Sequence, residues 1–321
     1  MHRRTFLNTF AVATASLSLG TAALADWKPR RPLNVIVPYS AGGGVDSFAR
    51  AFAAAAEKLL PVPVVIVNRP GSAGLVGAQE AASARPDGNT IMITSAGSFL
   101  MASTLRKADV NPFDSFQTVS QIGNLVPGLF VPANSPYQTA NELAEDIKAR
   151  PGALRWAHTG RGSFLHVAGQ GFLNANDLEV GDVPFKGGAN VRAAIIGEQV
   201  DFGFVGVNVG RGFESEMRAL AVSSPQRDGI MSEVPTFAEL GLNFLDVSSP
   251  IVTFAPNGVD AEIVSGIEAL LAQVTQTEEF AELMLVKGNA PAYLNGADAE
   301  AKLQAMLEAA GPILENISES K

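Results

Sequence analysis

From residue 33 onward, short β-branched runs alternate with longer segments whose apolar residues recur at helical spacing. That alternation predicts an α/β protein with crossover helices. In a first group, strands are expected at 33–37, 63–67, 90–94, 118–122 and 128–131, with helices near 47–59 and 73–84. Phe48, Phe52, Ala55, Ala56 and Leu59 share one face of the first helix, as in a helix lying on a sheet. Arg85-Pro86-Asp87-Gly88 carries turn chemistry and parts the second helix from the third strand.

A second group runs from about 138 to 225. Its helices are expected at 141–149, stopped by Pro151-Gly152, then at 163–175 and 189–197. Its strands are expected at 154–157, 180–184, 200–205 and 217–222. Beyond Pro250, Ile251-Val252-Thr253-Phe254 forms a further strand, and the remainder is rich in Glu, Ala and Leu and reads as helical. Two α/β groups joined through extended segments predict two lobes with a cleft between them.

The first 25 residues fall outside this pattern. His2-Arg3-Arg4 is a basic start, residues 9–24 are mostly apolar, and Ala23-Leu24-Ala25 offers a small-residue cleavage site before Asp26. That is the layout of a secretory signal peptide, and Arg3-Arg4-Thr5-Phe6-Leu7 leaves both the Sec and the twin-arginine route open. Thr14, Ser16, Ser18 and Gly20 interrupt the apolar run, which makes a retained anchor the weaker alternative. The expected location is the periplasm.

Charge narrows the function classes. The chain carries a net charge of −9, and removal of the leader takes away two arginines and no acid, leaving −11. No basic stripe is available for nucleic acid. With no cysteine there is no disulfide, no thiolate metal site and no lipidated cysteine.

The candidate chemistry sits where strands pass into helices. In VIVPYSAGGGVDSFAR, residues 35–50, a β-branched strand stops at Pro38 and runs through Gly42-Gly43-Gly44 to Asp46 and Ser47, either of which can cap the next helix. It is either a tight turn that binds nothing or a cradle of backbone amides for an anion. No Gly-Lys-Ser/Thr follows and the G-x-G-x-x-G fingerprint is incomplete, so a carboxylate suits it better than a phosphate. Asn68-Arg69-Pro70-Gly71-Ser72-Ala73-Gly74 is again strand, glycine turn and helix, where Gly71, Gly74 and Gly77 read more simply as close packing of a helix on the sheet than as binding. Thr94-Ser95-Ala96-Gly97-Ser98 follows the third strand, and open α/β sheets bind ligands at such strand ends. In Pro184-Phe185-Lys186-Gly187-Gly188, Lys186 contacts either an anionic ligand or a surface carboxylate.

Enzymatic constellations are scarce. His158 and His166 stand eight residues apart without an H-E-x-x-H pattern, so no metal or other cofactor is expected. A triad of Ser163, His166 and a distant Asp can be drawn, but Gly160-Arg161-Gly162-Ser163-Phe164 lacks the G-x-S-x-G elbow. His166 reads more simply as a helix residue with a structural hydrogen bond.

With those loops assembled, the chain resembles the Bug family, the substrate-binding proteins of tripartite tricarboxylate transporters. The matching pieces are VIVPYSAGGGVDSFAR, VVIVNRPGSAGLVGA, RPDGNTIMIT, GRGSFLH, VPFKGGANVRAAIIGEQVDFGF, VPTFAELGL and FAPNGV. The resemblance implies a two-lobed α/β periplasmic binding protein of type II-like, Venus-flytrap form, with the ligand cleft between the lobes. Residues 26–125 plus 250–321 would form lobe 1, and residues 126–249 would form lobe 2. Such a protein is not an enzyme. It closes on a small carboxylate (di-, tri- or aromatic, or an acidic amino acid) and delivers it, as a monomer, to membrane permease subunits.

Carried onto this chain, the family's carboxylate-holding loop corresponds to Tyr39, Ser40, Gly43, Gly44 and Asp46. Ser95 and Ser98 match the loop after the third strand, and Thr159, Gly160, Ser163 and His166 match the facing loop of the second lobe. Lys186 matches the Tyr-Lys-Gly-Gly turn, with Phe185 in place of the tyrosine. Val45 stands where the family usually has threonine, and Gly206-Val207-Asn208 replaces a more acidic strand end, which puts Asn208 at the cleft border and points away from the commonest dicarboxylate. Asp46 is expected to brace its loop and not to touch an anion. Two alternatives remain at this stage: a periplasmic α/β hydrolase using Ser163 and His166, and a ligand sensor docking on the periplasmic domain of a sensor kinase.

Overall fold

The computed structural model describes residues 27–185 and 187–319; the expected leader and Lys186 lie outside the described residues. The chain forms two mixed sheets. The strands are β1 (Leu33–Val37), β2 (Val64–Asn68), β3 (Thr90–Ser95), β4 (Phe116–Leu125), β5 (Pro127–Pro132), β6 (Arg155–His158), β7 (Gly181–Pro184), β8 (Phe202–Gly206), β9 (Met217–Val222), β10 (Ser249–Pro256) and β11 (Pro291–Asn295). The helices are α1 (Gly44–Ala56), α2 (Leu75–Ala82), α3 (Ala96–Arg106), α4 (Pro112–Ser115), α5 (Ala140–Ala149) and α6 (Phe164–Ala175), followed by α7 (Gly188–Ile196), α8 (Val207–Gly210), α9 (Ala261–Thr275), α10 (Glu278–Val286) and α11 (Gly296–Glu319).

One sheet has the order β11-β4-β10-β3-β1-β2 and the other β7-β6-β8-β5-β9. In the first, β1 runs parallel to β2 and β3, while β10 is antiparallel to both β3 and β4. In the second, β6 is parallel to β7 and β8, and β5 is antiparallel to β8 and β9. The chain leaves the first sheet at Leu125, reaches the second at Pro127 after a single residue, and returns at Ser249. Ser249 pairs with Leu125, so the two passages lie side by side on adjacent antiparallel strands.

Each sheet is held by aromatic packing. Phe99, Phe116 and Phe254 meet edge-on or tilted in the first, with centroids 5.6–6.3 Å apart. In the second, Phe172 stacks on Phe237 at 4.5 Å, and Trp156 meets Phe204 edge-on at 5.9 Å. Such pairs add to the burial of their large apolar surfaces.

Two elements depart from the sequence expectation. Residues 96–98, expected in a loop, open α3, whose Phe99, Leu100, Met101 and Ala102 are all buried. All of residues 96–103, small or apolar, are buried, so no polar stripe marks the helix, which is why periodicity missed it. The tail, expected to be helical, contains β11, which is antiparallel to β4; five residues opening on proline give too short a pattern to announce a strand.

Candidate functional site

The carboxyl ends of β1, β3 and β7 each run into a helix that begins without a side-chain cap, as α2 and α8 also do, whereas the helix after β6 is capped by Ser163. Gly43, Ser95 and Gly187, at the starts of α1, α3 and α7, make no side-chain cap. Away from these strand ends, α4, α5, α9 and α10 are capped by Asn111, Thr139, Asp260 and Thr277. A missing cap costs about 1 kcal/mol and leaves amides unmet at the positive end of the helix dipole. The uncapped starts are gathered where an α/β sheet takes its ligand.

The first loop is braced from below. Asp46 is buried, and its carboxylate accepts from Gly42 N at 2.7 Å, Arg50 Nε at 2.8 Å and Asn68 Nδ2 at 2.9 Å. Burial alone would raise its pKa, but the bonds from Arg50, Gly42 and Asn68 outweigh it and hold the carboxyl below its usual range. Asn68 Nδ2 also reaches Tyr39 O at 3.0 Å, tying β2 to the same loop. Gly42 adopts φ +79°, and its amide is engaged by Asp46, while Gly43 N turns back to Ser40 O at 3.4 Å. The amides of Gly44, Val45 and Asp46 have no hydrogen-bond partner among the described residues. Of the glycine run, Gly44 is therefore the one whose amide is available.

Tyr39, Ser95 and Ser98 come together at the start of α3. The Tyr39 hydroxyl lies 3.3 Å from Ser95 O and accepts from Thr94 Oγ1 at 3.4 Å. Burial pushes the tyrosine pKa up, against bonds with Thr94, Ser95 and Ser98. Ser95 does not cap α3. Its hydroxyl meets Ser249 Oγ at 2.6 Å, and Ser249 Oγ accepts from Gly97 N at 3.2 Å, so the returning strand β10 supplies part of the cap.

The facing loop belongs to the second sheet. Ser163 caps α6, accepting from His166 N at 3.2 Å and from Thr159 Oγ1 at 3.0 Å. His166 Nδ1 accepts from Gly162 N at 3.1 Å, and His158 Nδ1 accepts from Gly160 N at 3.1 Å. Asp182 holds His158 Nε2 at 3.0 Å and Arg161 through two bonds of 2.8 and 3.1 Å. His158, His166 and Asp182 lie close enough to share an ion, but both Nδ1 lone pairs and the carboxylate already have these partners.

This geometry does not make a hydrolase. Asp182 pairs with His158 and not with His166, and burial pushes His166 down to about 3, leaving it a feeble base. The same depression has a consequence for stability. Unfolded chains protonate this imidazole below about 6.5 while the folded protein does not, so the stabilising difference is complete above that pH and is lost as pH falls toward 3. His166 alone should lower stability by about 2 kcal/mol between pH 7 and pH 5. Urea midpoints at the two pH values check this: His166→Gln should flatten the decline, and an unchanged wild-type midpoint would refute it.

Among the close approaches of the two lobes, two fall at glycines of the candidate loops. A Cβ at Gly44 would sit 3.0 Å from Asn208 Nδ2 and 3.5 Å from a Leu125 methyl, and one at Gly162 would sit 2.4 Å from Leu105 Cδ1. The Asn208 side chain has no hydrogen-bond partner among the described residues. Residues that sequence reasoning left out are Arg50, Asn68, Asp182 and Ser249. Arg50 was legible as an i, i+4 partner of Asp46; the other three act across strands, where no local spacing reveals them.

A sequence model described as "Tripartite tricarboxylate transporter family receptor" matches residues 48–318. The chain belongs to this receptor family. It is a family of binding proteins and not of enzymes. Among curated members, an UPF0065 protein of Cupriavidus necator is 29% identical and BugT of Bordetella pertussis 26% identical, over 92% and 91% of this chain and 91% and 90% of theirs. The match to the periplasmic binding protein BugD, at 25% identity and a TM-score of 0.78, covers 90% of this receptor chain and 98% of BugD. An R. palustris protein solved with adipate has 25% identity and a TM-score of 0.80, over 92% of this chain and 99% of its own. The fold of two α/β lobes is thus shared with both solved structures.

Proposed function

We propose that this receptor captures a small carboxylate between its lobes in the periplasm and delivers it to the permease of a tripartite tricarboxylate transporter. The observation that carries this reading is the set of uncapped helix starts at strand ends, with the amides of Gly44, Val45 and Asp46 unmet above a braced loop. A carboxylate entering a closed cleft must replace its water contacts with charge-assisted hydrogen bonds, and fixed amides supply them without burying a lysine. The relative bound to adipate supports a dicarboxylate of that size. On this reading the lobes are residues 26–125 plus 250–321 and residues 126–249, turning about the paired passages at Val126 and Ser249. Tyr39, Ser95, Ser98, Thr159, Gly160 and Asn208 then border the ligand.

A thermal-shift screen with adipate, citrate, glutamate, an aromatic acid, a sugar and an amine tests the proposal. A ligand at 100 times its dissociation constant should stabilise the protein by about 2.7 kcal/mol, a rise of several degrees. At least one carboxylate should do so. A rise with the sugar or the amine, and with no carboxylate, would overturn it.

A further inference from the structure

The loop from Thr159 to Ser163 is fastened by two imidazoles through the same kind of contact. Gly160 donates its N–H to His158 Nδ1 and Gly162 donates its N–H to His166 Nδ1, both at 3.1 Å. We propose that His158 and His166 are positioning residues of the binding site: as neutral acceptors they fix the two amides flanking Arg161 and leave the Arg161 N–H as the donor this loop offers to a ligand. The ligand's part in this rests on the carboxylate reading above; the clamp itself does not.

The tautomers follow from the contacts. An Nδ1 that accepts must leave the proton on Nε2. His158 Nε2 faces Asp182 Oδ2 at 3.0 Å, and an ionised carboxylate only accepts, so Asp182 selects the tautomer in the way a metal-bound histidine is oriented by its outer partner. The same carboxylate holds one edge of the Arg161 guanidinium, accepting from Nε and from Nη2, and so steers that side chain to β7. His166 is fixed differently. Its ring stacks on Trp156, 7° from parallel with centroids 5.8 Å apart, and lies 4.3 Å from the His158 ring. Both imidazoles are almost fully buried, which disfavours the imidazolium that would turn an acceptor into a donor.

The loop they hold has little freedom left. Gly160 and Gly162 take φ values of +111° and +78°, and Ser163 N closes the turn on Gly160 O at 3.1 Å. Between the two pinned amides, the Arg161 N–H has no partner among the described residues. Two large buried side chains, one on a strand and one on a helix, converge on alternate amides of a five-residue loop. Capping of α6 alone needs neither, since Ser163 already performs it.

Nuclear magnetic resonance on the full chain tests the clamp. Through-hydrogen-bond nitrogen–nitrogen couplings should link the Gly160 amide to His158 Nδ1 and the Gly162 amide to His166 Nδ1, with both rings in the Nε2–H form. Missing couplings, or an Nδ1–H ring, would overturn the proposal. Substitution separates position from stability, because the Oδ1 of asparagine can stand near the place of Nδ1 while leucine offers no acceptor. His166→Leu should speed exchange of the Gly162 amide at least about tenfold and weaken adipate binding about tenfold, and His166→Asn should restore both to within about threefold. The corresponding His158 pair should act on Gly160. Faster exchange with unchanged adipate affinity would end the positioning role. If no carboxylate of the screen stabilises the wild-type protein, the carboxylate reading is what falls, and the couplings still decide the clamp; if another carboxylate does so and adipate does not, that one replaces adipate in the titrations. Should a leucine variant not fold, the wild-type couplings and the asparagine variants carry the test.

Discussion

Asp46→Ala should lower stability by on the order of 3 kcal/mol and raise the dissociation constant for a bound carboxylate at least about tenfold. Three donors converge on this buried carboxylate, and each belongs to a different part of the first lobe: Gly42 in the glycine turn, Arg50 one turn along α1, and Asn68 at the end of β2. Alanine strands the Gly42 and Asn68 donors. Arg50, about half exposed, turns to water at little cost, so the charge partner is not what makes the residue matter. Affinity should fall because the turn that presents Gly44 loosens, and not because a contact with the ligand is lost. Asp46→Asn keeps the shape but sets an amide nitrogen against at least one of the donors, and should fall between wild type and alanine. Urea unfolding and calorimetric titration measure the two effects separately. Lower stability with unchanged affinity would detach Asp46 from the site.

Gly44→Val should have the opposite profile, weakening binding about a hundredfold or more while changing stability by less than about 1 kcal/mol. The φ of Gly44 is one that any residue adopts, so valine brings no left-handed strain at the first position of α1. Its nearest obstacle lies on the other side of the cleft: the space for even a single Cβ is bounded by Asn208 Nδ2 at 3.0 Å, ahead of a Leu125 methyl of its own lobe at 3.5 Å. The asparagine amide is the far end of a side chain and can shift for a methyl group, so Gly44→Ala should be mild. Branched valine demands more than that shift and holds the lobes apart. A closing protein pays for such a wedge in the closed state, where the ligand is held, and hardly at all in the open one. Titration calorimetry on the two variants, with melting temperatures alongside, checks the contrast. Equal losses of stability and affinity would mean that the site is rigid.

The alternation of strands and helices was legible because most elements are amphipathic or β-branched, and the breaks at Pro151-Gly152 and Arg85-Pro86-Asp87-Gly88 carry their own turn chemistry. α3 and β11 were not legible, the one because no polar stripe marks it and the other because it is short and opens on proline. Within the site, the glycine turn and its aspartate announced themselves, yet only the fold shows that Gly42 and Gly43 turn their amides inward and that Gly44 is left. The histidines illustrate the limit best. The expected strand stops one residue short of His158 and the expected helix holds His166, but nothing in their spacing says that both rings reach back to glycine amides of the loop between them. Ser249 is equally silent in sequence, since its partners Ser95 and Gly97 lie more than 150 residues away.

The central claim is that unmet amides at the start of α1 receive a carboxylate as the lobes close. Its most direct measurement is a titration of the nitrogen-15-labelled protein with the carboxylate that gives the largest thermal shift, following the backbone amides at every helix start. The account predicts large shifts and slowed exchange at Gly44, Val45 and Asp46, with little change at the side-chain-capped starts of α5, α9 and α10. Binding that leaves the Gly44, Val45 and Asp46 amides unmoved would contradict it.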